Sequence, residues 1–230
     1  MSFAERAFCN ADQCKHVYYW FRVSLAERRK MDLRSYQNSN DELENESWRI
    51  INMDKKVVVN GKEYEILKLL GKGKGGYSYL ADDGTSKYVL KQIHHEPCDY
   101  YQFGNKIEAE INDYKRLKDI GIKMPVMLAV DIEKERILKE FIEGDTIYEL
   151  ILQDKMKSAY VDQLRHMCEL LYAAHTNIDY FPTNFVVQNE EIYYIDFECN
   201  EYMDEWNFEN WGIKYWSKTP EFLQYVKEHL

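Results

Sequence analysis

The chain has 230 residues, 45% of them hydrophobic, enough for one compact domain with a sizeable core. Its 40 acidic against 30 basic side chains give a net charge of −10, and no basic stripe exists beyond Arg28-Arg29-Lys30, which argues against nonspecific nucleic-acid binding. No apolar run approaches the roughly 20 residues of a membrane span, the N-terminus has no signal-peptide core, and the cysteines are odd in number and scattered, so a cytoplasmic location is expected.

Residues 1–48 read as a helical extension followed by a polar linker. The helix centres on Val17-Tyr18-Tyr19-Trp20-Phe21 with Leu25, and the polar run from Ser35 to Ser47 follows it. This helix is expected to dock on the rest of the chain, on a partner or on a second copy. Cys9, Cys14 and His16 lack a fourth ligand nearby, so zinc is not expected.

Residues 64–93 read as strand, glycine loop, strand, turn, strand. The loop is Gly71-Lys72-Gly73-Lys74-Gly75-Gly76, and Asp82-Asp83-Gly84 marks the turn. Glycines 71, 73 and 76 match G-x-G-x-x-G, a pattern that opens a helix in dinucleotide-binding folds. Here Tyr77-Ser78-Tyr79-Leu80 continues as strand, which predicts a hairpin lying over phosphates. Strand alternation puts Val89 and Lys91 on one face of the third strand.

An amphipathic stretch from Gly104 to Ile120 predicts a helix, with Ile107, Ile111, Tyr114, Leu117 and Ile120 on one side. Glu108 and Glu110 are about 200° apart on it, so only one can point toward a given partner. Strands over 126–130 and 136–141 then form a hairpin around Glu133-Lys134-Glu135 and exit through Glu140-Phe141-Ile142-Glu143-Gly144.

The polar segment Asp179-Tyr180-Phe181-Pro182-Thr183-Asn184 precedes a strand that ends in Tyr194-Ile195-Asp196-Phe197-Glu198. Such an Asp, Asn, Asp series supplies one proton acceptor and two oxygen ligands for a hard cation. An unperturbed Asp titrates near ~4, so Asp179 is ionised at neutral pH without special tuning. After Asp196 come Trp206, Phe208, Trp211, Tyr215 and Trp216, read mainly as core, with an aromatic pocket for a cationic acceptor as the alternative. Thr219-Pro220 reads as an N-cap with Pro at the first helical position.

Taken together and in this order, residues from about 65 to 198 resemble the protein-kinase-like superfamily in a small, divergent form. The resemblance implies an α+β, bilobal fold. Residues 49–143 would form an N-lobe with a five-stranded sheet and one helix, and 144–230 a reduced C-lobe. It also implies ATP and magnesium as cofactors. Gly71, Lys72, Gly73, Gly75 and Gly76 would cover the phosphates, Val89 would roof the adenine, and backbone groups of Glu140 and Ile142 would bind its edge. Lys91 would reach the phosphates with Glu110 as its ion-pair partner, Asp179 would take the hydroxyl proton, and Asn184 with Asp196 would hold the metal.

Departures from the family pattern narrow the class. Asn177-Ile178 stand where protein kinases carry His-Arg, and Glu198 replaces the Gly of Asp-Phe-Gly, as in choline- and aminoglycoside-kinase-like enzymes. A fixed magnesium loop is the implied result. Lys139 occupies the gatekeeper place, where a long charged residue is unexpected; either the strand register is off by one or the pocket behind it is closed. The short C-lobe is similar to those of RIO kinases, of the small kinase of the tRNA-threonylcarbamoylation complex and of shortened bacterial kinase-like proteins. Phosphorylation of a protein serine or threonine is the first expectation. The alternatives are a small-molecule hydroxyl acceptor and an ATP-binding pseudokinase or scaffold.

Overall fold

The computed structural model describes residues 55–73, 75–95 and 105–229. The expected N-terminal helix and linker, the Cys9, Cys14 and His16 group, and Lys74 lie outside the described residues. What is described is α+β and divides into two compact units. One is built from residues up to 95 with Leu128–Lys139; the other comprises residues 105–127 and Glu140–Val226.

The first unit is a sheet of strands β1 (Lys56–Val59), β2 (Lys62–Lys72), β3 (Gly76–Asp82), β4 (Lys87–Ile93), β5 (Met127–Asp131) and β6 (Arg136–Glu140), in the order β1-β2-β3-β4-β6-β5. That is one strand more than the five expected. The added strand is β1, joined to β2 through Asn60-Gly61, whose φ values of 48° and 82° make a two-residue turn that pairs Val59 with Lys62. An Asn-Gly pair between apolar runs is a strong hairpin signal, because both central residues need positive φ.

One face of the sheet buries Val57, Val59, Tyr64, Ile66, Tyr77, Tyr79, Ala81, Leu90 and Leu138 against one another. Each fully buried aliphatic side chain contributes about 1.5–3 kcal/mol. Alternation then places Ser78, Leu80, Val89 and Lys91 on the opposite face. The sheet curls strongly. The Asn60 backbone N–H donates to the Asp131 carboxylate at 3.1 Å and its side chain to the Val130 carbonyl at 3.1 Å, while Arg136 reaches the Val58 carbonyl at 2.8 Å.

The second unit opens with helix α1 (Lys106–Ile120), capped by the Asn105 side chain at its start and ended by Gly121 at φ 93°. Helix α2 (Ile147–Leu152) carries a capping box made by Thr146 and Glu149. Helix α3 (Ser158–Ala173) buries Tyr160, Leu164, Met167, Cys168 and Leu171, an apolar stripe at helical spacing. Strand β7 (Thr176–Ile178) pairs with β10 (Cys199–Glu201), and β8 (Phe185–Gln188) pairs with β9 (Glu191–Tyr194), all antiparallel. Helix α4 (Pro220–His229) begins where Thr219 Oγ1 accepts the Phe222 N–H at 3.1 Å, as an N-cap should. No helix among the described residues is long and apolar enough to cross a membrane.

Candidate functional site

In the first unit the glycine segment is a strand–loop–strand, with no helix opening after Gly76. Strand β2 reaches the loop through two register irregularities, between Ile66 and Lys68 and between Leu69 and Gly71, which bend it over the sheet. Gly73 N–H bonds the Gly76 carbonyl at 2.9 Å and closes the loop. The pairing then aligns Gly71, Ser78 and Lys91 side by side across three strands. A Cβ placed on Gly75 would stand 3.7 Å from Lys91 Nζ, so the ammonium lies directly beneath the loop. Gly76 has a separate reason to lack a side chain: its Cβ would meet the Gln92 carbonyl oxygen at 2.4 Å. Lys72 turns its ammonium over the Tyr77 ring at 5.0 Å.

Val89 shares the face of Lys91, as alternation requires, while Leu90 enters the core on the other side. Lys139 is 6% exposed on β6, one position from the core residue Leu138 and therefore on the face of Val89 and Lys91. The strand register is thus as read from the sequence, and a buried lysine side chain occupies that face.

Glu108 and Glu110 separate on α1. Glu108 is exposed, and its backbone N–H takes the Asn105 cap at 3.2 Å. Glu110 is half-buried, with one carboxylate oxygen fully enclosed. One turn further, Asp113 is half-buried near Cys199 and Glu198, and this partial burial pushes its carboxyl up to about 6. Tyr114 lays its ring on Phe197 with centroids 4.8 Å apart and accepts the Met127 N–H at 3.1 Å. The Glu140 N–H is taken by the Val126 carbonyl at 2.9 Å, and Ile142 is buried.

The polar segment of the second unit is a tight assembly. Strand β7 ends at Ile178, and Asp179 opens a turn in which its Oδ1 accepts the Phe181 N–H at 3.0 Å. Pro182–Asn184 form a single 3-10 turn, and β8 starts at Phe185. The β8–β9 hairpin pairs Phe185 with Tyr194, and Ile195 N–H bonds the Asn184 carbonyl at 2.9 Å. Asn184 and Asp196 therefore flank the same open end of the hairpin. The Asn184 amide nitrogen donates to the Asp179 carbonyl at 3.3 Å, which turns its amide oxygen outward. Asp196 uses Oδ1 to accept the Phe197 N–H at 2.8 Å. All three residues are partly exposed, and their neighbours Ile178, Tyr180, Phe185 and Phe197 are buried.

This arrangement brings one amide residue and one carboxylate residue to the same end of the hairpin. Among the described residues no three His, Cys, Asp or Glu side chains gather into a complete cation cage. The donor set fits magnesium that takes its remaining ligands from phosphates and water, because that ion seldom relies on an all-protein cage.

Of the residues that bond backbone carbonyls around this turn, Trp216 was expected in the core and Asn177 only as a departure, whereas Tyr194 was not expected to brace anything. Tyr194, fully buried, donates its hydroxyl to the Glu198 carbonyl at 2.8 Å. Burial raises its phenol well above the ordinary range, and the carboxylates of Asp196, Asp179 and Glu198 push the same way. Trp216 donates Nε1–H to the Tyr180 carbonyl at 2.7 Å, and the Asn177 side chain donates to the Met203 carbonyl at 2.9 Å. The aromatic run therefore splits: Phe208 and Trp216 are core, whereas Trp206, Trp211 and Tyr215 are half-buried. Spacing gave no sign of which rings would be structural, because 3-10 turns over Asp204–Trp206 and Gly212–Tyr215 decide it.

No family model matches the chain. A curated relative, the KEOPS complex subunit Bud32 of Pyrococcus abyssi (strain GE5 / Orsay), is 27% identical to it over 94 residues. The match covers 39% of this chain and 42% of that protein. The match supports a protein-kinase-like relationship at most.

Proposed function

We propose that the chain is an ATP- and magnesium-dependent phosphotransferase with a bilobal kinase-like fold, moving the γ-phosphoryl group to a hydroxyl, most simply that of a protein serine or threonine. The observation that carries this reading is the Asp179, Asn184 and Asp196 assembly, in which the Asn184 amide nitrogen donates to the Asp179 carbonyl and Ile195, next to Asp196, donates its N–H to the Asn184 carbonyl. The glycine hairpin over Lys91 supports it independently.

In the proposed reaction the acceptor oxygen bonds to the γ-phosphorus and the bond to the β–γ bridging oxygen breaks. ADP leaves, and the hydroxyl proton passes to the Asp179 carboxylate. Asp179 Oδ1 accepts the Phe181 N–H, which orients the carboxylate. Lys91 and the loop backbone bind and orient the phosphates. Val89 covers one adenine face, while the Glu140 carbonyl and the Ile142 amide address its edge. Asn184 Oδ1 and Asp196 would hold magnesium, which when bound neutralises phosphate charge.

A second reading of the same chemistry, with a small-molecule acceptor, is favoured by the half-buried Trp206, Trp211 and Tyr215 rings.

The test is thermal stabilisation by Mg-ATP together with ADP formation, for the native chain and for Asp179→Asn and Asp196→Asn. Asp179→Asn is expected to keep the stabilisation and lose turnover, and Asp196→Asn to lose most of the magnesium-dependent stabilisation. Absence of any shift with native protein well above millimolar Mg-ATP overturns the ATP-site reading. Binding with no turnover in the presence of proteins or a metabolite mixture leaves a pseudokinase. Turnover restored only by the metabolite mixture selects the small-molecule acceptor.

A further inference from the structure

The peptide group between Tyr180 and Phe181 is held at both ends. Its carbonyl oxygen accepts the Trp216 indole N–H at 2.7 Å, and its own N–H donates to Asp179 Oδ1 at 3.0 Å. A trans peptide is planar, with C=O and N–H pointing in opposite directions, and no cis peptide bond occurs among the described residues. Whatever fixes the carbonyl therefore fixes the direction of the N–H, and here that N–H holds the Asp179 carboxylate.

Trp216 reaches this carbonyl because Gly212 has no side chain. A Cβ on Gly212 would stand 2.6 Å from the Tyr180 Cβ and 2.8 Å from the Phe208 ring. Its absence lets the 3-10 turn Gly212–Tyr215 start directly on Tyr180; the Ile213 N–H closes that turn on the Phe208 carbonyl at 2.7 Å, and Trp216 follows it. Tyr180, Phe181 and Trp216 are all buried. Without the indole the Tyr180 carbonyl would be an orphaned acceptor, and its peptide would have to turn toward another donor.

Building on the phosphotransferase reading above, we infer that Trp216 is a positioning residue for the proton acceptor, acting on Asp179 through the Tyr180–Phe181 peptide. The indole itself stays in the core, packed on Phe185 and Phe208. A displacement of about 1 Å at a reacting group can cost on the order of 100-fold in rate. Nucleotide and magnesium are held by other residues and bind as before.

The experiment replaces Trp216 in the full chain in two ways: Trp216→Phe, and benzothienylalanine at the same position, which keeps the double ring and exchanges the N–H for sulfur. Each chain is measured for melting temperature without ligand, for stabilisation by Mg-ATP, and for ADP formation resolved into kcat and KM for ATP, with the protein or metabolite mixture that supports native turnover. The expected result for both is a kcat lowered about tenfold or more, with the KM for ATP and the Mg-ATP stabilisation unchanged. A purely structural indole would lower the melting temperature and leave kcat, measured well below that temperature, as in the native chain; that result overturns the inference. So does a KM that rises in step with the fall in kcat. Should Trp216→Phe fail to fold, the benzothienyl chain, with its ring shape intact, decides by the same outcomes. If the native chain forms no ADP, the phosphotransferase reading fails and this inference with it. Native turnover matched by the benzothienyl chain sinks this inference alone.

Discussion

The two halves of the proposed site are made from different materials. The glycine hairpin is made of backbone: its shape follows from the Gly73–Gly76 hydrogen bond, the two irregularities in β2 and the close approach of Gly76 to Gln92. The Asp179, Asn184 and Asp196 assembly presents side chains, and Trp216, Tyr194 and Asn177 bond the backbone carbonyls of Tyr180, Glu198 and Met203. The first half should therefore tolerate changes of side chain and resist any added Cβ at one point. The second should be sensitive at residues that never meet a ligand.

The largest effect is expected at that one intolerant backbone point. Gly76→Ala puts a carbon 2.4 Å from the Gln92 carbonyl oxygen, which only a shift of β3 against β4 relieves. A loss of about 3 kcal/mol is expected, lowering the melting temperature by roughly 6–12 °C; a drop under 2 °C would mean that the strands move apart freely. Next comes Trp216→Phe, which removes the bond to the Tyr180 carbonyl and part of a buried ring. About 2 kcal/mol is expected from calorimetry or denaturant titration. Turnover should fall further than Mg-ATP stabilisation does, and equal losses in both would remove the distinction between the halves.

Acid titration separates the units by sign. Asp83, in the β3–β4 turn, is held far below the ordinary carboxylate range by hydrogen bonds from Lys62 and Thr85. Its stabilising contribution is present above the ordinary carboxylate value of 3.8 and is lost as the pH falls below it. Asp113 runs the other way. Its folded value of about 6 lies above the ordinary 3.8, so the native state favours the neutral form and stability declines as pH rises from about 4 through 6. Asp113→Asn is expected to flatten melting temperature against pH over that window, and Asp83→Asn to flatten it only below pH 4. The smallest effect belongs to Lys72→Ala. It removes a contact over Tyr77 of the kind worth about 0.5–1 kcal/mol, and nucleotide affinity should change less than threefold. A larger loss would move the hairpin into the class of side-chain sites.

What could be read from the sequence follows the same division. The hairpin, the turn at Asp83, the face shared by Val89 and Lys91, helix α1 and the Thr219 cap depend on local spacing, and spacing is visible. Strand β1 lies ahead of the elements expected, although Asn60-Gly61 marks its turn. Helical angle sets Glu108 and Glu110 on different faces without saying which of them turns inward. The braces were not legible: Tyr194 reads as one more strand residue, Trp216 as one of several rings, and Asn177 as a mere replacement. Their partners are backbone carbonyls at Glu198, Tyr180 and Met203, and a carbonyl leaves no trace in a sequence.

The Asn60 clasp has a consequence for the behaviour of the protein in concentrated solution. Strand β5 stands last in the sheet order and exposes Leu128, with Ile132 just beyond it, a combination that invites pairing with strands of other molecules. Asn60 occupies the Val130 carbonyl and the Asp131 carboxylate, so the margin of the sheet is partly closed by the hairpin from its opposite end. A turn of two residues thereby leaves one carbonyl fewer on that margin for a strand of another molecule to pair with.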